Sequence, residues 1–153
     1  MIRRITSGFV ALIALLMLSG CTPRLTVEEY RETLVSCTNE YSAAQMKVAS
    51  SLVSDSDGYF NGSLEEFEEN CKAFENAMKK IEEINPPNEY SKRHSEAVKA
   101  LDNEREWLEA VRSYTKAKTP EELQKADAEI QRTANYEKSF PTWVFEIVRS
   151  IGS

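Results

Sequence analysis

Two apolar series constrain most tightly what this chain can fold into. Val27, Tyr30, Leu34, Cys37, Tyr41, Ala44 and Val48 recur at spacings of 3, 4, 3, 4, 3 and 4 residues. Leu64, Phe67, Cys71, Phe74, Met78 and Ile81 follow at 3, 4, 3, 4 and 3. At about 3.6 residues per turn each series lies along one side of a helix. A stripe that narrow is buried by a neighbour running nearly parallel or antiparallel to it.

The flanking residues set the helix boundaries. Thr26 with Glu29 and Ser63 with Glu66 have the capping-box spacing that starts a helix, and the first series fades after Leu52 into Ser-Asp-Ser-Asp-Gly. Asn85-Pro86-Pro87 stops the second helix and begins a third, because proline tolerates a first turn but not a helix interior. The third carries Tyr90, His94, Ala97, Val98, Leu101, Trp107, Leu108, Val111 and Tyr114, a broader and less regular face. Thr119-Pro120-Glu121-Glu122 opens a fourth helix through Leu123, Ala126, Ile130 and Ala134, poorer in bulky apolar residues. Pro141 ends it, and Trp143-Val144-Phe145 with Ile147, Val148 and Ile151 forms a short apolar tail that closes the bundle.

Glycine is scarce after residue 20, occurring only as Gly58, Gly62 and Gly152, while Glu, Lys and Ala abound. The expectation is all-α: an antiparallel bundle of four main helices plus a short C-terminal helix, one domain over residues 26–153. No internal repeat, low-complexity tract or linker divides it.

The N-terminus has a different character. Met1-Ile2-Arg3-Arg4 is basic, and Phe9–Leu18 is an unbroken run of ten apolar residues, about half the length needed for a ~30 Å hydrocarbon core. A basic head, a short apolar core and the small residues Ser19 and Gly20 describe an export signal. Leu18-Ser19-Gly20-Cys21 resembles the lipobox of bacterial lipoprotein precursors with a type II signal peptide. The resemblance implies that residues 1–20 are removed, and that the Cys21 thiol takes a diacylglyceryl thioether. Residues 21–25 then form a lipidated tether bearing palmitate-type acyl chains. Each buried CH₂ contributes about 0.8 kcal/mol, and two or three chains hold stably where one does not. The implied location is the cell membrane, lipid-anchored and facing outside the cytoplasm, on the plasma membrane's outer leaflet or in an outer membrane.

Losing Arg3 and Arg4 with the signal moves the net charge from −6 to −8. An acidic surface argues against nucleic acid as a partner and against docking on anionic headgroups. With Cys21 consumed by lipid, Cys37 and Cys71 remain in a chain exported to an oxidising compartment, and the pair predicts a disulfide. Closing 34 residues would contribute roughly 3–4 kcal/mol in the chain-entropy model. The alternative is two buried free thiols. Cys37 lies eleven residues before Val48 and Cys71 eight after Ser63, so a bridge requires residues 49–62 to climb several ångströms along the bundle.

Chemistry-bearing motifs are few. His94 is the only histidine, with no second His to share a metal, and reads as a structural residue bonded to a carbonyl or carboxylate near the double proline. No nucleophile elbow, phosphate-binding glycine loop or zinc signature occurs, so no catalytic residue, metal or cofactor is expected. The stretch Asp57–Glu68 places Asp, Asn, Gly, an apolar residue and Glu at positions 1, 5, 6, 8 and 12 of a calcium loop, but position 3 is Tyr59. The same stretch reads as a turn capped at Ser63, with Glu68 inside the helix. Glu65, Glu66, Glu68 and Glu69 fit the acidic first turn that a helix dipole favours. Trp107 and Tyr114, seven residues apart, are core or, if exposed, a contact surface.

Ile84-Asn85-Pro86-Pro87-Asn88-Glu89-Tyr90 with His94 is similar to an I-x-P-P-x-E-Y-x-x-x-H pattern of small exported helical proteins and lipoproteins of bacteria. That resemblance implies a helix starting after a hairpin, with Tyr90 and His94 as packing and capping elements, and adds no activity. The functional expectation is a non-enzymatic envelope lipoprotein that binds a protein or small ligand, with Tyr90, His94, Trp107 and Tyr114 as candidate contacts. The rivals are a hydrolase or metal-dependent enzyme using acidic residues with His94, and a structural or phage-exclusion lipoprotein.

Overall fold

In the computed structural model, which describes residues 23–134 and 139–152, the two apolar series become α1 (Val27–Ser50) and α2 (Leu64–Glu82). The Thr26 hydroxyl accepts from the Glu29 N–H, while the Glu29 carboxylate accepts from the Thr26 N–H at 2.9 Å, satisfying donors that a helix start leaves orphaned. Ser63 caps α2 by accepting from the Glu66 N–H at 3.2 Å. A short 3₁₀ turn, Asn88–Tyr90, leads from the prolines into α3 (Ser91–Lys116). Thr119 and Glu122 build the second reciprocal box, at the head of α4 (Pro120–Ala134). The apolar tail is α5 (Phe140–Ile151), with Pro141 in its first turn, where its missing N–H costs no bond.

Cross-helix pairs fix the directions. Lys80 meets Glu40 at one end of the α1–α2 contact, and the Asn70 amide donates to the Lys47 carbonyl nearer the other, so the two run antiparallel. Arg105 pairs with Glu82 and Arg112 with Glu75, making α3 antiparallel to α2 and parallel to α1. In α5 the Phe140 ring packs 4.9 Å from Tyr41, and the later turns reach Arg93 at the start of α3, so α5 runs back between α1 and α3.

The shared core therefore belongs to α1, α2, α3 and the short α5, while α4 flanks α3. Composition explains this division. Ala126 is the buried apolar side chain of α4, whereas α5 buries Phe140, Val144 and Ile147 within twelve residues. At the centre the Tyr41 ring lies tilted against Phe74 and Phe140, with centroids 5.1 and 4.9 Å away, and Trp107 meets Phe74 edge-on at 6.0 Å. Each large side chain buried there contributes roughly 1.5–3 kcal/mol.

The predicted disulfide is not formed: Cys37 and Cys71 are free thiols. The Glu40–Lys80 and Lys47–Asn70 contacts set a register that puts Cys37 level with the last turn of α2 and Cys71 level with Lys47. About ten residues of helix, on the order of 15 Å, separate the two levels, far beyond the roughly 7 Å that a disulfide tolerates between Cα atoms. The loop does not climb to close that gap. It folds on itself, with Ser54 opposite Phe60, the Asp55 carboxylate accepting from the Asp57 and Tyr59 N–H groups, and Gly58 at φ +88°. That φ lies in the left-handed region that glycine enters without a Cβ clash. The Tyr114 hydroxyl donates to the Gly58 carbonyl at 2.7 Å and pins the loop to α3.

The predicted signal segment 1–20 and Cys21 lie outside the described residues. The chain just after them is docked: Arg24 donates to the Pro86 carbonyl and the Ser91 hydroxyl, and the Leu25 N–H to the Asn85 carbonyl. Among the described residues no helix is long and apolar enough to cross a membrane.

Candidate functional site

On α3 the core-facing positions run His94, Ala97, Leu101, Glu104, Leu108, Val111 and Thr115, spaced 3, 4, 3, 4, 3 and 4. A carboxylate thus occupies a seam position between two leucines. It opens into a cleft of about 350 Å³ bounded by α1, α3, the end of α4 and the start of α5. Gln45, Met46 and Ala49 form the α1 wall, with Asn103, Glu104 and Trp107 facing them. Thr133, Ala134 and Ser139 form the rim.

Glu104 is held from two sides. The Gln45 amide donates to its Oε2 at 3.1 Å. The Tyr41 hydroxyl faces the same carboxylate, yet its buried oxygen closes no hydrogen bond of regular geometry among the described residues. Burial pushes the Glu104 carboxyl above the usual carboxylate range, and the Tyr41 hydroxyl only partly opposes this. Burial also raises the Tyr41 phenol, with the neighbouring Glu104 charge adding to it. Among the described lining residues Glu104 is the one ionisable group, flanked by an indole, a thioether and two amides. That arrangement accepts hydrogen bonds and balances positive charge.

The larger groove between α3 and α4, about 640 Å³, is built differently. Ala110, Ala117 and Ala126 form its apolar part and charges of both signs rim it, with Arg105 and Arg132 already paired to carboxylates.

The four residues singled out from the sequence do not converge. Tyr90 and His94 both meet Tyr30 at the double-proline end, where the Tyr30 ring lies 5.8 Å from Tyr90 and 5.6 Å from His94. His94 is 5 % exposed, and burial lowers its pKa, opposed by the Ile81 carbonyl. Trp107 borders the Glu104 cleft, and Tyr114 is tied to the loop at the opposite end from His94. Glu104 and His94 are ten residues apart on α3, about 15 Å, too far to act on one reacting atom.

The calcium-loop geometry is not assembled either. Glu68 lies inside α2 and pairs with Arg112 at 3.4 Å, and Asp55 organises the turn instead of Asp57. Among the described residues no group of three His, Cys, Asp or Glu is placed to hold a metal ion.

Sequence reasoning missed Glu104. The signal was present: the third helix keeps the alternation of threes and fours when the acid is counted in, and looks irregular only when it is left out. Compared with protein-family models, with curated proteins and with solved structures, the chain matches none of them.

Proposed function

We propose that this chain is a non-enzymatic lipoprotein of the bacterial envelope, a binding module tethered through Cys21 outside the cytoplasmic membrane, with the Glu104 cleft as its ligand site. The observation that carries the reading is the carboxylate on the core seam. An apolar residue there would close the cleft and add to the core. Glu104 instead keeps a charged, partly desolvated group aimed into a concave site beside Trp107. The distance between Glu104 and His94 favours binding over hydrolysis by an acid–histidine pair.

The anchoring part rests on Leu18-Ser19-Gly20-Cys21. Only Thr22 and Pro23 lie between Cys21 and Arg24, and each residue spans at most about 3.6 Å. The double-proline end of the bundle would therefore sit within about 10 Å of the lipidated cysteine. Gln45 is eighteen residues along α1 from Val27, which places the cleft about 27 Å further out when the bundle stands on that end.

Crosslinking the anchored protein in intact envelopes tests both parts. Wild type should carry a fatty-acid analogue and capture a partner or ligand, Cys21→Ser should lose the label, and Glu104→Lys should lose the captured species. Unchanged labelling of Cys21→Ser removes the lipobox assignment, and unchanged capture by Glu104→Lys removes the cleft.

A further inference from the structure

We infer that the Glu104 cleft takes a small organic cation, a protonated amine with an apolar body, its ammonium on the Glu104 carboxylate and its body against Trp107 and Met46. This rests on the binding-module reading above and adds the chemical class of the ligand.

The charge balance argues first. No Lys or Arg is among the described lining residues, so the Glu104 charge meets only the Gln45 amide and the Tyr41 hydroxyl. A carboxylate offers about four acceptor sites, and a single regular hydrogen bond leaves most of them for an ammonium's three donors.

The Tyr41 hydroxyl is the second, independent observation. Its side chain is fully buried and its oxygen has no regular partner among the described residues, although it faces Glu104. Buried polar atoms are rarely left unpaired, because each costs roughly 1–3 kcal/mol. A small shift of the carboxylate toward a bound cation would let this hydroxyl donate to it, so ligand and orphan are satisfied together.

The walls decide the rest of the molecule. Met46 is 65 % exposed on the cleft's edge, and Trp107 is half-buried beside the acid. An indole attracts a nearby cation and a thioether adapts to an apolar body. Among the described lining residues the Glu104 carboxylate is the one ionisable group. A volume of about 350 Å³ is at the lower end of small-molecule sites. A lone lysine or arginine side chain from a protein would leave much of it unfilled.

The probe is phenethylammonium, with 2-phenylethanol as its neutral counterpart, titrated by calorimetry into the full-length protein in lipid nanodiscs. The amine should bind saturably and shift the Trp107 indole N–H resonance, identified by its loss in Trp107→Phe. The alcohol should bind at least about tenfold more weakly, and Glu104→Gln should weaken the amine by at least about tenfold while the protein melts no lower than wild type. Equal affinity for amine and alcohol overturns the inference, as does undiminished amine binding by Glu104→Gln or no binding up to about 10 mM. If the probe fails but envelope crosslinking still captures a protein through Glu104, the cation is wrong and the binding module stands. If crosslinking also captures nothing, both fall.

Discussion

Tyr30 of α1 and His94 of α3 share a buried hydrogen bond of 3.1 Å between the phenol oxygen and Nδ1, with their rings at 75° to each other. Nε2 closes no bond of regular geometry among the described residues, and a neutral ring with its proton there would accept the Tyr30 hydroxyl at Nδ1. One side chain thus ties α1 to α3 just above the double-proline turn, where Arg24 and Leu25 are also docked.

Acid should loosen this end first. Burial holds the folded-state pKa of His94 below its ordinary 6.5, so between those two values the unfolded chain binds the extra proton. Stability from the neutral ring is complete above about 6.5 and is lost as the pH falls through that value toward the lowered pKa. The melting temperature of wild type should therefore fall as the pH drops below about 6.5, and His94→Asn should flatten that part of the profile. An identical slope in the variant would assign the loss to other groups.

Glu104 works in the opposite sense. Its folded-state pKa is raised by burial, so the folded protein holds its proton to higher pH than the unfolded chain does. The group is neutral in both states well below 4.5 and costs nothing there. Its cost grows as the pH rises from 4.5 toward the raised value and is full above it. Glu104→Gln should raise the melting temperature by a few degrees at pH 7, with the gain vanishing toward about pH 4. A variant that melts lower at pH 7 would show that the carboxylate is a net structural contributor.

What could be read from the sequence follows from what spacing encodes. The threes and fours of Val27–Val48 and Leu64–Ile81 specify which side of a helix is buried, and α1, α2 and their caps lie where that pattern puts them. Spacing does not encode height along a partner, and so Cys37 and Cys71 looked able to meet when the α1–α2 register holds them about 15 Å apart. The sequence counts α4 among the four main helices, but its small residues give it only a thin contact with the shared core, and the bulk of Phe140, Val144 and Ile147 lets α5 take the fourth place. Glu104 escaped notice because an apolar series skips a charged residue by construction.

The free thiols have measurable consequences. Cys37 is half-buried and its thiol is raised by burial and by Glu40, with Lys80 opposing. Cys71 is fully buried and pushed up to about 11 by burial, against the nearby Arg112. Native protein should be alkylated slowly at Cys37 and at Cys71 only on unfolding, and reductant should leave the melting temperature unchanged. Mass spectrometry showing two fewer hydrogens and no alkylation after denaturation would restore the bridge. Cys71→Ser should cost about 1–3 kcal/mol by burying a hydroxyl among apolar side chains.

Arg112 is the electrostatic tie between α2 and α3. Its Nη1 lies 2.8 Å from both Glu75 and Glu109 and its Nε 3.4 Å from Glu68, with the side chain only 16 % exposed. Exposed ion pairs contribute little, but here one shielded guanidinium faces three carboxylates, two of them on α2. Removing it leaves those acids facing one another with no cation between them, and also takes the positive charge away from beside Cys71. Arg112→Gln should therefore destabilise the protein by about 1–3 kcal/mol in urea unfolding with an unchanged slope. Arg112→Lys should recover only part of the loss, because an ammonium cannot present the planar fork that spans both helices. Because the repulsion among the exposed carboxylates is screened by salt, the deficit of Arg112→Gln should shrink as ionic strength rises from about 0.05 M to 0.5 M. A deficit that stays constant with salt would mean that the side chain acts through packing alone.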